Sequence, residues 1–231
     1  MRIMALADEP VDRLWGEHCA EMLSGIDLIL SAGDLSPAYL SYLTCFTHAP
    51  IVYVHGNHDE RYDSKPPEGC ICADGRIVLA AGVRVLGLGG SMRYRGGPHM
   101  YTEAEMKERI AKLRLQMRLT GGFDILLTHA PMSGLGDQSD LPHRGFACFA
   151  PLIDRYTPSA MVHGHIHRSY TTSFVRVREY NGVPVINANG LYIFEIPDRA
   201  DDPVPTARGR RILKKNSVPV SGILYPKKTS I

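Results

Sequence analysis

A chain of 231 residues with 44% hydrophobic and 22% charged side chains has the composition of a globular protein of one domain. It is long enough to bury a core without covalent staples, and it is neither disordered nor fibrous in character. The net charge of +2 gives the whole molecule no nucleic-acid footprint, and no uncharged apolar run reaches membrane-spanning length. Five cysteines, an odd number, argue against a disulfide framework.

The chain opens directly into strand-like sequence with no basic leader and apolar segment, so the expectation is a protein of the reducing cytoplasm that makes no contact with membrane. Strands are predicted at Ile3–Ala7, Leu28–Ser31, Ile51–His55, Ile77–Ala80, Arg84–Leu88, Ile125–Thr128, Ala160–His163, Phe174–Glu179, Pro184–Asn187 and Tyr192–Ile196. Helices are predicted at Asp12–Leu23, Pro37–Thr47, Glu103–Leu119 and Phe146–Tyr156. The third helix has the clearest start, because Thr102 and Glu105 have the spacing of a capping box. Asn181-Gly182 between two apolar runs reads as a hairpin turn. Cys19, Cys45 and Cys148 fall in apolar helical stretches and read as small buried residues. Cys70 and Cys72 lack a second cysteine pair, which speaks against zinc there.

Strand–helix alternation in the first half predicts a parallel sheet, and the later hairpin adds antiparallel strands. The expected fold class is α/β, with mixed sheets packed between helices over residues 1–196. Residues 197–231 form a Pro-containing extension with eight Lys or Arg against three Asp or Glu, a net of +5, which leaves −3 for the remainder. This tail is expected on the surface, where it offers a route to nucleic acid.

The chemistry is positional. Ile3–Ala7 ends at Asp8, and Leu28–Ser31 runs into Gly33-Asp34. Ile51–His55 runs into Gly56-Asn57-His58-Asp59, Ile125–Thr128 ends at His129, and Ala160–His163 runs into Gly164-His165-Ile166-His167. Ligand sites of open α/β sheets lie beyond the carboxyl ends of the strands, so these five segments should converge. A lone Gly-Asp is usually a turn and a lone strand-end histidine usually packs. Two imidazoles in a glycine-framed turn have little structural use, and five such segments in series make coincidence improbable. The mixed oxygen and nitrogen donors suit one or two divalent metal ions, Mn, Fe, Zn or similar. Gly33, Gly56 and Gly164 precede donors where positive φ or close backbone approach is needed.

The order Asp … Gly-Asp … Gly-Asn-His-Asp … His … Gly-His-x-His resembles the calcineurin-like metallophosphoesterase superfamily, from about Asp8 to His167. That resemblance implies two mixed β-sheets packed as a sandwich flanked by helices, and hydrolysis of a phosphoester by metal-activated water. It implies Asp34 as the bridge between two metals, Asn57, His129 and His165 as ligands of one, and Asp8 and His167 as ligands of the other. His58 is implied as the uncoordinated residue that contacts phosphate and protonates the leaving oxygen.

One departure stands out. The family's first motif is Asp-x-His, and here it reads Asp8-Glu9-Pro10, where proline offers no ligand atom. Glu9 or Asp12 could stand in for the missing ligand, but neither spacing is secured by the motif, and strand alternation points Glu9 away from the face that Asp8 uses. The Asp8–His167 position is therefore expected to bind metal more weakly. Arg61, Tyr62, His143 and Arg144 are further candidates for contact with substrate, and Asn187 for support of the site. No insertion large enough for a cap separates the motifs, so an open site favours phosphodiesters, or terminal phosphates of larger molecules. The partner is then a phosphoester, small or polymeric. The alternatives are a scaffold protein that keeps the fold with a partly degenerate site, and a nuclease anchored by the basic tail.

Overall fold

The computed structural model describes residues 1–170 and 174–197. The surface placement expected for the basic tail falls on residues 198–231, outside the described residues. In chain order the first strands and helices are β1 (Arg2–Ala7), α1 (Cys19–Leu23), β2 (Leu28–Ser31), α2 (Pro37–Leu43), β3 (Ile51–Tyr53) and β4 (Ile71–Cys72). There follow β5 (Arg76–Ala80), β6 (Val83–Leu88), β7 (Ser91–Met92), β8 (Met100–Tyr101), α3 (Glu103–Lys112), α4 (Arg114–Leu119) and β9 (Ile125–Thr128). The last are α5 (Phe149–Tyr156), β10 (Ala160–His163), β11 (Val177–Tyr180), β12 (Val183–Asn187) and β13 (Gly190–Glu195).

Two mixed sheets pack face to face. One has the order β13-β1-β2-β3-β4, the other β11-β12-β10-β9-β6-β5, and β7 and β8 form a small pair of their own. Side-chain alternation builds the layers. Ile3, Ala5, Leu28, Leu30 and Val52 of the first sheet meet Val85, Ile125, Leu127, Val162 and Ile186 of the second in one core. The opposite face of the first sheet, with Met4, Leu6 and Ile29, packs under Leu23, Tyr39 and Leu40. The outer face of the second, with Leu86, Leu126 and Met161, packs under Met106, Met117, Phe149 and Ile153. Burial on both faces is why these strands read as continuous apolar runs rather than alternating ones.

Local signals explain most element ends. Ser36 caps α2 by accepting from the Tyr39 N–H, with Pro37 at the first helical position. The Thr102–Glu105 capping box forms at α3. Asn181 (φ 49°) and Gly182 (φ 82°) both take the positive φ that a tight hairpin between β11 and β12 requires. Two expected helices are broken. Asp12–Leu23 becomes a 3-10 turn at Asp12–Leu14 and then α1, with Gly16, a poor helix former, between them. Glu103–Leu119 divides at Leu113, whose N–H turns back to Ile110. Cys45 is exposed, not buried as its apolar neighbours implied, because α2 ends at Leu43 and releases it; Cys19 and Cys148 are buried, and all five cysteines are free.

One buried network ties the strand exits together. The Asp74 carboxylate accepts from His55 at 2.9 Å, from the Gly89 N–H at 2.7 Å and from the Arg109 guanidinium of α3. Burial alone would raise its pKa, but His55 and Arg109 outweigh burial and hold it at about 2. A depressed carboxyl stabilises the fold fully above the unfolded pKa near 4 and loses that contribution as pH falls toward 2. Asp74→Ala is expected to lower stability at pH 7 by about 3–5 kcal/mol, since it strands Arg109. Urea unfolding of both proteins should show the difference narrowing as pH falls from 4 toward 2.

Candidate metal centre

The five strand exits converge at one edge of the sandwich. β1 hands the chain to Asp8, β2 to Gly33-Asp34, β3 to the Gly56–Asp59 turn, β9 to His129 and β10 to the Gly164–His167 turn. Three of these residues, Asp8 (φ 65°), Asp34 (φ 58°) and His165 (φ 69°), hold the left-handed conformation that side-chain-bearing residues seldom adopt. Each such residue carries strain that the surrounding structure must enforce, and such residues cluster at functional sites. Gly33 takes φ +94°, and a Cβ on Gly56 would lie 2.0 Å from Asp34 Oδ1. The glycines therefore let two backbones approach closely enough to aim the carboxylate.

Donor atoms gather around His129. Its Nε2 lies 3.0 Å from Asn57 Oδ1, 3.1 Å from His165 Nδ1 and 3.4 Å from Asp34 Oδ2. Each ring is fixed from behind. His129 Nδ1 is 2.7 Å from the Ala32 carbonyl, and His165 Nε2 is 2.8 Å from the Pro142 carbonyl. A carbonyl only accepts, so those nitrogens carry the protons, and the two remaining nitrogens face each other. Asp34 is held through its other oxygen by the His58 N–H at 2.9 Å. Asp59, to which the motif assigned no role, accepts the N–H groups of Gly56 (2.7 Å) and Asp34 (2.8 Å) and locks two exits together.

Asp8 lies beside this cluster, whereas among the described residues Asp8 and His167 belong to neither compact group of metal-capable donors. Both Asp8 oxygens accept from the His165 N–H, at 2.9 and 3.1 Å, and Asn189 Nδ2 is 3.3 Å away. Glu9 corrects its expectation: it reaches the site, with Oε1 3.2 Å from His167 Nδ1. Strand alternation fails there because the positive φ of Asp8 turns the chain. The His58 side chain is exposed, apart from the buried donors. Asn187 donates to the Ile166 carbonyl at 2.8 Å and braces the turn that carries His165 and His167.

Electrostatics separate neighbouring groups. Burial would lower His129, but Asp34 and Asp8 outweigh it and push the ring up to about 9. Burial and the His129 charge push His165 down to about 3. Burial would raise Asp34, yet His129 holds it well below the usual range. Burial raises Asp8, against the pull of His129. Burial and the Asp34 charge raise Asp59 to about 6. Such opposed shifts gather at functional sites more often than elsewhere.

The donor set fits a divalent cation. Two imidazole nitrogens, a carboxylate oxygen and an amide oxygen gather here, a cation would displace the proton that His129 otherwise shares with Asp34, and each ring is oriented by an outer hydrogen bond, as metal-bound histidines are. Among the described residues, Asp34, His129 and His165 form one of two compact groups able to hold a metal. The other, His55, Asp74 and His99, is disfavoured because its two rings stack parallel (9°, 4.4 Å) and cannot aim lone pairs at one point.

Other candidates divide. Tyr62 is buried and donates its hydroxyl to the Leu35 carbonyl, so it is unavailable to substrate; its aromatic bulk serves the core. Arg61 and Arg144 are exposed. His143 packs 5.4 Å from the His165 ring and 5.0 Å from Tyr170, at the rim. Tyr94, whose hydroxyl is 3.5 Å from Asn57 Nδ2, and Tyr170, stacked on His167 at 4.6 Å, border the site without any motif to announce them.

The calcineurin-like phosphoesterase family model matches residues 8–169, the stretch that holds the candidate metal donors described above. The chain belongs to that family. Its members typically bind divalent metals. No curated protein matches the sequence. Among solved structures, TT1561 of Thermus thermophilus is similar with a TM-score of 0.58 and 19% identity over 82% of this chain and 89% of its own. GAP50, the anchor in the inner membrane complex of Plasmodium, is similar with a TM-score of 0.54 and 11% identity over 84% of this chain and 80% of its own. Both likenesses concern the fold of this family member.

Gly56→Ala is expected to abolish metal uptake, since the added methyl would lie 2.0 Å from Asp34 Oδ1 and 2.6 Å from the Asp34 backbone nitrogen and must displace that strand exit. Retention of wild-type metal content would refute the close-approach argument.

Proposed function

We propose that this chain is a metal-dependent phosphoester hydrolase. The observation that supports this reading most is the approach of Asn57 Oδ1, His165 Nδ1 and Asp34 Oδ2 to within 3.4 Å of His129 Nε2, with the rings held in their tautomers from behind. A pocket kept only for packing has no need of four inward donors in one turn-rich edge.

In this reading Asn57, His129 and His165 would hold one ion, Asp8 and His167 would hold a second, and Asp34 would serve both. Divalent ions there, Mn, Fe, Zn or similar, would polarise the phosphoryl oxygens and lower the pKa of attacking water. The rest falls to the chain. Asp59 and the glycines fix the carboxylate and amide donors. His58, exposed beside Asp34 and free of the donor cluster, protonates the leaving oxygen. The substrate is a phosphodiester or phosphomonoester, small or polymeric.

Two further readings stand beside it. Pro10, together with a structural relative described as an anchor, favours a partner-binding scaffold with an incomplete site. A nuclease would use the basic tail, and its substrate binding would weaken steeply with salt. Among the described residues no helix is long and apolar enough to cross a membrane.

Chelator-treated protein is expected to lose hydrolysis of bis-p-nitrophenyl phosphate and to regain it with Mn²⁺. A chain that binds Mn²⁺ yet cleaves neither this diester nor p-nitrophenyl phosphate would favour the scaffold. His58→Ala should keep its bound metal and lose turnover by about 100-fold or more; parallel loss of metal would move His58 among the ligands.

A further inference from the structure

Each of the three imidazoles of the centre is held by an outer acceptor. His129 and His165 each give one ring nitrogen to a backbone carbonyl, at 2.7 and 2.8 Å, and turn the other inward. His167 has a side-chain acceptor instead, Glu9 Oε1 at 3.2 Å from Nδ1. An ionised carboxylate only accepts, so Nδ1 carries a proton, and in the neutral ring Nε2 keeps the lone pair. Tyr170 covers the ring face, stacked at 4.6 Å and 22°. The ring is thus held by an edge and a face, from segments 158 residues apart in the case of Glu9.

The approach of Glu9 is built into the backbone. Asp8 sits at φ 65°, its N–H donates to the Gly33 carbonyl at 3.1 Å, and the Glu9 N–H turns back to the Ala7 carbonyl at 2.7 Å. That bend carries Glu9 out of strand alternation and across to His167. The following Pro10 has no ligand atom, so Glu9 is the side chain of this segment that meets the Asp8 side of the centre. With the carboxylate on Nδ1, Nε2 is the ring atom left to offer to a cation.

We infer that Glu9 is a positioning residue that fixes the tautomer and orientation of His167 and brings negative charge to the metal position shared by Asp8 and His167. This rests on the proposed function, because it assumes that the position takes a cation. A simple surface ion pair would behave differently. Glu9 is about half exposed, and such pairs contribute little to stability, so the effect belongs in metal affinity and not in folding.

The test compares wild type, Glu9→Ala, Glu9→Gln and Pro10→Ala. Mn²⁺ binding is followed by titration calorimetry and bound-metal analysis, thermal unfolding is recorded without metal, and ¹⁵N NMR reads the His167 tautomer in the metal-free chain. Wild type should show a tighter and a weaker Mn²⁺ site. Glu9→Ala should weaken the second by about 10–100-fold, the usual effect of losing such an outer partner, and leave the first and the melting temperature unchanged. Glu9→Gln keeps an acceptor oxygen and should recover much of the loss and the Nδ1–H tautomer, while Pro10→Ala should match wild type. Glu9→Ala with wild-type affinity at both sites, or an unchanged His167 tautomer, overturns the inference alone. Anomalous diffraction with Glu9 oxygen in the shell of the ion also overturns it, making Glu9 a ligand. A wild-type chain that takes up no Mn²⁺ overturns it together with the proposed function, and the two failures are told apart by that control.

Discussion

The close approach of the buried His129 ring to the Asp34 carboxylate governs the rest of the molecule. A fully buried imidazole within 3.4 Å of a carboxylate is costly to assemble unless every other polar atom nearby is matched. The fold meets that demand with backbone. Ala32 and Pro142 carbonyls fix the two rings, and the His58 N–H and the two N–H groups on Asp59 fix the carboxylates. Loops alone would not hold such partners. Here they come from the ends of strands whose other residues form the core, so the rigidity of the sandwich passes directly to the donors.

That arrangement explains why two sheets are needed. β1, β2 and β3 deliver carboxylates and the amide, while β9 and β10 deliver imidazoles. Neither sheet carries a complete donor set. The core of Ile3, Leu30, Val52, Leu127 and Val162 between them therefore also sets the distance between oxygen and nitrogen donors. The Asp74 network performs a similar task one layer down, joining the exits of β3 and β6 to α3.

Much of this was legible in the residues. Long apolar runs marked the buried strands, and their endings in Asp8, Asp34, Asn57, His129 and His165 marked the edge where donors meet. Helix continuity was less legible, because the Asp12–Leu23 and Glu103–Leu119 periodicities persist across Gly16 and Leu113, where the backbone turns. Short β4, β7 and β8 carry too few residues for a period to show. Glu9 was misplaced for a definite reason: alternation assumes extended backbone, and nothing in an aspartate announces a positive φ. Tyr94 and Asn189 reach the site from loops and Tyr170 from the short 3-10 turn Arg168–Tyr170, where spacing carries no geometry.

The three left-handed donors also shape how this chain can change. At Asp8, Asp34 and His165 the backbone conformation suits glycine, and a side chain there holds strain of order 1–3 kcal/mol, less for aspartate than for histidine. Glycine at any of them relieves that strain and removes a donor in the same step. Robustness and chemistry thus pull these positions in opposite directions. A lineage selected only for a sturdy, partner-binding body would drift toward glycine at the strand exits, keeping the sandwich and losing the inward donors.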